Sequence, residues 1–284
     1  MGAMAQMRQD AQVVIVTGVT AGIGKACAEH LVERGYRVYG GARRVPPAGE
    51  ETLAASGQGF LRSWPLDVTD PAAVEAFVQR VVDTEGGVAA LVHAAGYTLA
   101  GAVEDVAPEE ARQQFDTNLF GAHNLFRAVL PVMRRQGAGR LIVIGSVAGL
   151  FPVPFQAMYS ASKYALGALT EATRMEVAPF GVKVTIIEPG DVRSEFTAAR
   201  RWAAAAEAEA SGYHERCRRA VDAMIRSEQA GPSPDIVVRA VDRVLHQSDP
   251  PVRVVVGAQY KLFGYLKPLL PLRAVHGILS KMYG

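Results

Sequence analysis

Three polar side chains stand at a spacing that could move a proton. In "YSASKYALGA", Tyr159 precedes Lys163 by four residues, and Ser146 lies upstream in "IGSVAG". Residues at i and i+4 share one face of a helix. A phenol with an ordinary pKa of about 10 becomes a usable acid or base near neutrality when an ammonium stands close by. A serine hydroxyl beside it could hold the oxygen that takes the proton. Taken alone, a Tyr/Lys pair of this kind is more often two exposed neighbours on a helix, so the chain must also supply a reaction that needs a proton.

That reaction is suggested by "TGVTAGIG", Thr17 to Gly24. It follows an apolar run and starts a helical one, with glycines at 18, 22 and 24. Such a turn lets backbone approach a phosphate closely, and the helix behind it presents free N–H groups to a pyrophosphate. The second apolar run ends in "YGGARR". An acid here would bind the ribose 2′-hydroxyl of NAD, but the position is Ala42, followed by Arg43 and Arg44. Arginine donates well to a phosphate, so the reading is NADP(H), with NAD(H) as the less favoured cofactor. Asp67 is either a partner for the adenine amino group or a turn residue ahead of Asp70.

The 284 residues are 49% hydrophobic and 20% charged, with a formal net charge of +2. A nucleic-acid partner would usually announce itself by a basic stripe, and none stands out. The two cysteines give no disulfide framework, which fits a reducing cytoplasm. Cys27 reads as a small core residue. The first ten residues read as a disordered tail or tag remnant. The apolar runs fall short of the ~20 residues a membrane span requires.

Six strands are expected at "QVVIVTG", "YRVYGGA", "AALVHAAG", "GRLIVIGS", "VKVTIIEPG" and "VRVVVG", and a seventh within "GQGFLRSWPLDV". Continuous apolar runs suit strands buried on both faces. Helices are expected over residues 22–34, 71–84 (with Asp70 as N-cap), 108–135 and 157–178. The alternation implies an α/β, Rossmann-type, doubly wound parallel sheet of about seven strands with helices on both faces, in a single domain over residues 11–284. Residues 195–230 are read as a helical lid or, equally, a surface insertion. The apolar residues after Ser146, Leu150, Phe151, Val153 and Phe155, are expected to line a pocket. His93, His123 and His214 share no ligand spacing and are read as core or surface residues. The tail, 258–284, carries cations and leucines without a single acid. It reads first as a cover over the substrate mouth or a subunit interface, with peripheral contact to an anionic membrane as the alternative.

In this order and spacing, "TGVTAGIG", "LDV", "HAAG", "DTNLFG", "GSVAG", "YSASK" and "EPGDV" resemble the short-chain dehydrogenase/reductase family over nearly the whole chain. The stretch after Ser146 looks closest to its 17β-hydroxysteroid/retinol dehydrogenase-like branch. The resemblance implies hydride transfer between a nicotinamide and an alcohol/carbonyl pair. It implies a catalytic tetrad of Asn118, Ser146, Tyr159 and Lys163, with Asn118 holding a water that links Lys163 to solvent. Cofactor contacts are implied at Gly18, Thr20, Gly22, Ile23, Gly24, Arg43, Asp67, Ala95, Gly96, Pro189, Gly190, Val192 and Ser194, together with Tyr159 and Lys163. It further implies a homodimer or homotetramer. Ala94 departs from the family's usual asparagine, and Ser194 stands for its usual threonine. The expected function is an NADP(H)-dependent oxidoreductase for a hydrophobic ketone, aldehyde or secondary alcohol. The rivals are an NAD-dependent sugar or polyol dehydrogenase and a catalytically silent nucleotide sensor or scaffold.

Overall fold

The computed structural model describes residues 12–46, 50–55 and 57–283. The first ten residues, read from sequence as a tail, lie outside that set. The chain begins with β1 (Val13–Thr17), wholly buried, and α1 (Gly22–Glu33). It continues through β2 (Arg37–Ala42), β3 (Glu50–Leu53) and β4 (Phe60–Pro65). Helix α2 (Pro71–Glu85) starts where expected, with Asp70 accepting bonds from the N–H groups of Ala72 and Ala73. A cap of this type contributes about 1 kcal/mol. Then come β5 (Ala90–His93), β6 (Leu99–Ala100), α3 (Pro108–Phe115), a π-helical turn (Asp116–Phe120) and α4 (Gly121–Gln136).

The second half holds β7 (Gly139–Ile144), α5 (Ala157–Val177), β8 (Val182–Pro189), β9 (Arg201–Trp202), α6 (His214–Ala230), α7 (Asp235–His246) and β10 (Arg253–Val256). Two helices follow, α8 (Ala258–Leu266) and α9 (Leu272–Tyr283).

The main sheet runs β10-β8-β7-β5-β1-β2-β4-β3. Its first seven members are parallel, and β3 pairs antiparallel with β4 at the edge. The sheet thus has one strand more than expected from sequence. "EETL" lacks an apolar run because an edge strand needs no buried face on both sides. Two apolar layers cover the sheet. One packs Leu31, Val241 and Leu245 against one face, and the other packs Phe77, Leu125 and Met133 against the opposite face.

Three further departures concern the helices. The 108–135 segment is interrupted by the π-helical turn. The 195–230 segment is α-helical only from His214, with one 3-10 turn at Ala204–Glu207. Before that it runs through turns into β9, which pairs parallel with β6 (Leu99 opposite Arg201), so the stretch after β8 is stitched to the stretch after β5. The tail folds back on the protein: Val275 and Leu279 of α9 and Tyr260 of α8 enclose Phe151. Leu150 packs in that cluster as well, so Leu150 and Phe151 bury under the tail instead of lining the pocket. Among the described residues no helix is long and apolar enough to cross a membrane.

Candidate active site

The carboxyl ends of β1, β2, β5, β7 and β8 meet on one side of the sheet, and a cavity of about 810 Å³ runs along them. Ligands in open α/β sheets bind at such ends. Every residue singled out for cofactor contact borders this cavity, as do Ser146, Tyr159 and Lys163. Asn118 does not; it is buried behind the wall.

At one end, the turn between β1 and α1 forms a cradle. Gly18 and Gly22 take positive φ, and a Cβ on Gly24 would lie 2.8 Å from the Gly18 carbonyl carbon. Gly22 N–H points out of the turn and donates to Glu195 Oε2 at 2.7 Å. A carboxylate thus sits where the helix end favours an anion, which is what a diphosphate group would require. Arg43 and Arg44 are exposed beside Ala42, which is buried. Asp67 Oδ1 accepts from Thr69 N–H at 2.9 Å and Thr69 Oγ1 at 2.8 Å, so it closes its own turn while bordering the cavity. The donors and the glycine cradle fit a nicotinamide dinucleotide.

Midway, β1 and β5 are tied at their ends. Thr17 stands opposite His93 in register, with Thr17 Oγ1 2.9 Å from His93 Nδ1. The same oxygen accepts from the N–H of Ala94 at 3.2 Å and of Ala95 at 3.3 Å. With its lone pairs so used, the hydroxyl proton goes to Nδ1, which leaves the ring neutral and protonated on Nε2. Burial and the nearby Lys163 ammonium lower the His93 pKa to about 3. Its role is that of a core histidine. Thr17 therefore steadies the strand end where Ala94 replaces the family's usual asparagine. His123 is exposed, and His214 lies at the start of α6 with Nδ1 3.2 Å from Ala206 O.

At the far end, Tyr159 and Lys163 lie on α5, each 6% exposed. Lys163 Nζ donates to the Ile144 carbonyl at 3.0 Å and sits 5.8 Å from the centre of the Tyr159 ring. Burial lowers the ammonium to about 8. Burial also pushes the Tyr159 phenol up to about 12, with the Ser146 hydroxyl pulling down, Glu228 pushing up and Arg200 pulling down. The sequence suggested a phenol drawn toward neutrality by Lys163. In the structure burial dominates, and the ammonium is engaged with a carbonyl. Ser146 begins a tight turn after β7, its Oγ accepting from Ala148 N–H at 3.1 Å.

Asn118 is held in the π-helical turn. Its Oδ1 accepts from Tyr97 N–H at 3.1 Å, and its Nδ2 donates to Tyr97 O at 3.0 Å and Ser162 Oγ at 3.2 Å. Both amide hydrogens are thereby used, so only Oδ1 has capacity left for a water. A Cβ at Gly96 would lie 3.1 Å from Asn118 Oδ1 and 3.9 Å from Lys163 Nζ. The two groups thus flank one spot of backbone.

The cavity wall beyond Tyr159 is made by Val153, Phe196 and Met224. Phe196 stands 6.3 Å from the Tyr159 ring. Phe155 takes φ +58 and packs among Tyr159 and the α6 residues, outside the lining. Sequence reasoning missed Arg200 and Glu228, which border the same space and pair at 2.5 Å. The signal was absent because each is one charge in a charged stretch.

The model of the short chain dehydrogenase family matches residues 12–205, and the chain belongs to that family. Its members are nicotinamide-dependent oxidoreductases. A 3-ketodihydrosphingosine reductase from Bacteroides thetaiotaomicron is 33% identical over 92% of this chain and 93% of its own length. The human 17-beta-hydroxysteroid dehydrogenase type 1 is 38% identical over 65% of this chain and 58% of its own. Among solved structures, a short-chain dehydrogenase from Streptomyces avermitilis matches with a TM-score of 0.79 at 31% identity, covering 96% of both chains.

Proposed function

We propose that this chain is an NADP(H)-dependent oxidoreductase acting on a ketone, aldehyde or secondary alcohol with an apolar body. The observation that carries the reading is the buried Tyr159–Lys163 pair sharing one cavity with Ser146 and the glycine cradle. The bound nicotinamide supplies or takes the hydride. Gly22 N–H and the α1 N-terminus hold its phosphates once Glu195 is displaced. Arg43 is the partner for a 2′-phosphate, and the lack of an acid at Ala42 supports NADP(H) over NAD(H). Pro189, Gly190, Val192 and Ser194 hold the nicotinamide end.

Ser146 Oγ donates to the substrate oxygen and fixes it beside Tyr159 Oη. A phenol with a pKa near 12 is fully protonated at neutral pH, so Tyr159 is ready to give its proton to the oxygen as charge develops there. The Lys163 ammonium, 5.8 Å from the ring centre, steadies the phenolate left behind, and the phenolate takes its proton back from solvent water. Asn118 positions the Tyr97 backbone beside Lys163, and its remaining lone pair is the site for a bridging water.

The substrate's apolar body rests on Val153, Phe196 and Met224. The name of the bacterial relative, a 3-ketodihydrosphingosine reductase, favours a ketone on a lipid-like chain. Residues 195–230 act as the lid. The assembly is a homodimer or homotetramer through α4 and α5, where Phe120, at the entry to α4, and Met175, on α5, are 51% and 73% exposed. The tail covers the Ser146 side of the pocket. Its exposed Leu262, Tyr265, Leu269 and Leu272 would also meet a membrane surface. Residues 11–284 form one domain, and two free buried cysteines agree with a cytoplasmic setting.

The test is a panel of carbonyl compounds and alcohols with NADPH and NADH, read at the nicotinamide absorbance. Turnover of apolar ketones with NADPH supports the reading. Tight NADPH binding without any turnover would favour the silent sensor.

A further inference from the structure

Among the described residues that line the pocket, Arg200 and Thr98 hold buried polar atoms without a partner, and Arg200 is the charged one. Its side chain is 3% exposed, and its Nη2 donates to Glu228 Oε1 at 2.5 Å. Its Nε and Nη1 are buried without an acceptor. Glu228 is fully committed on the other side, with Oε2 taking the Thr197 hydroxyl at 2.6 Å. Leaving buried guanidinium N–H groups unpaired costs more than leaving them in water, so their retention at a cavity wall points to an acceptor that arrives with the ligand. The surroundings narrow its chemistry. Val153, Phe196 and Met224 are apolar, and Tyr159 stands close enough that both charges act on its phenol. The Glu228 carboxylate already balances the guanidinium, so a second full negative charge would gain little there, whereas a neutral oxygen accepts a charge-assisted bond at no such cost.

We propose that Arg200, held in place by Glu228, is a substrate subsite for a neutral carbonyl or hydroxyl oxygen borne a few bonds from the reacting ketone on an apolar chain. This rests on the reading of the cavity as an oxidoreductase site and names its substrate class. Plain apolar ketones are then poor substrates beside ketones that carry a nearby ester or hydroxyl oxygen.

The experiment compares a β-keto ester, the ketone of equal length lacking the ester, and the corresponding β-keto acid anion. Relative kcat/KM with NADPH is measured for the wild type and for Arg200→Met. The wild type should prefer the ester over the plain ketone, and Arg200→Met should cut that preference by about 10-fold or more, the loss of one bond to a charged group. Arg200→Lys keeps a cation beside Glu228 but loses the fork, and its preference should fall between the two. A pair that merely tethers the lid would weaken all substrates equally, and an unchanged ratio overturns the proposal. A preference for the acid anion over the ester overturns its neutrality. Calorimetric binding of the three compounds to the NADPH-loaded protein gives the same ratios without turnover. If nothing is turned over but the binding ratio still depends on Arg200, the subsite stands while the proposed reaction fails.

Discussion

Gly22 and Glu195, 173 positions apart, are joined by a 2.7 Å bond from the backbone N–H of one to the carboxylate of the other. The bond links the phosphate cradle to the segment after β8 and places a negative charge at the N-terminus of α1. An incoming diphosphate must displace it. Glu195→Gln removes the competing charge, each such helix-end interaction being worth about 0.3–1 kcal/mol. NADPH affinity should rise about two- to five-fold by fluorescence titration. A weaker affinity in the variant would mean that Glu195 helps hold the cofactor.

Tyr159→Phe removes the proposed proton donor and leaves the glycine cradle intact. Turnover should drop by at least the ~10²–10⁴-fold typical of general acid catalysis, while NADPH binding persists. Stopped-flow and titration measurements read the two effects separately. Near-normal turnover in the variant is incompatible with the mechanism.

Cofactor choice is best tested at Arg43, because Ala42 is buried at the end of β2 and a carboxylate there would disturb the core. Arg43→Leu should weaken NADPH relative to NADH by about 1.5–3 kcal/mol, the range for a bond to a charged group. A wild type that already prefers NADH would refute the assignment.

His93 predicts acid sensitivity. Its pKa is near 3 in the folded chain, against about 6.5 when unfolded. Between these values the unfolded state binds more protons, so stability falls as the pH drops through this window. At about pH 4.5 the cost is about 2–3 kcal/mol. Glu188 acts oppositely, since burial raises it to about 7 and it therefore favours the folded state as pH falls from that value. The His93→Gln variant leaves Glu188 in place. Urea midpoints at neutral and acid pH should show wild type losing more stability on acidification than His93→Gln; equal losses would show that His93 does not stay neutral.

The seven parallel strands were legible because strands buried on both faces must be apolar throughout, as "VVIVT" and "RLIVI" are. The cradle was legible because its glycines are demanded locally by backbone geometry. Tyr159 and Lys163 were legible through helical spacing. Strand β3 was not, because an edge strand of "EETL" takes its conformation from β4 and not from its own side chains. Leu150 and Phe151 were expected to line the pocket, but apolarity does not say against what a side chain packs, and the tail claimed them. The π-helical turn was hidden because "DTNLF" continues the helical pattern. Arg200 and Glu228 were invisible because a bond between residues 28 apart exists only once α6 has docked.

The π-helical turn at Asp116–Phe120 also sets the length of the chain here. It carries one residue more than an α-helical turn, and that extra residue lets Asn118 grip both backbone groups of Tyr97 while α4 keeps Leu125 and Met133 on the core. Deleting a single residue within it would let the segment relax into uninterrupted α-helix, turning α3 by about 100° relative to α4. Gln114, which donates to the Tyr97 carbonyl at 2.8 Å, would swing away with it. Insertions and deletions would therefore be tolerated in the loops around this helix long before they were tolerated inside it, and the count of residues between Pro108 and Gly121 constrains the site as firmly as their identities do.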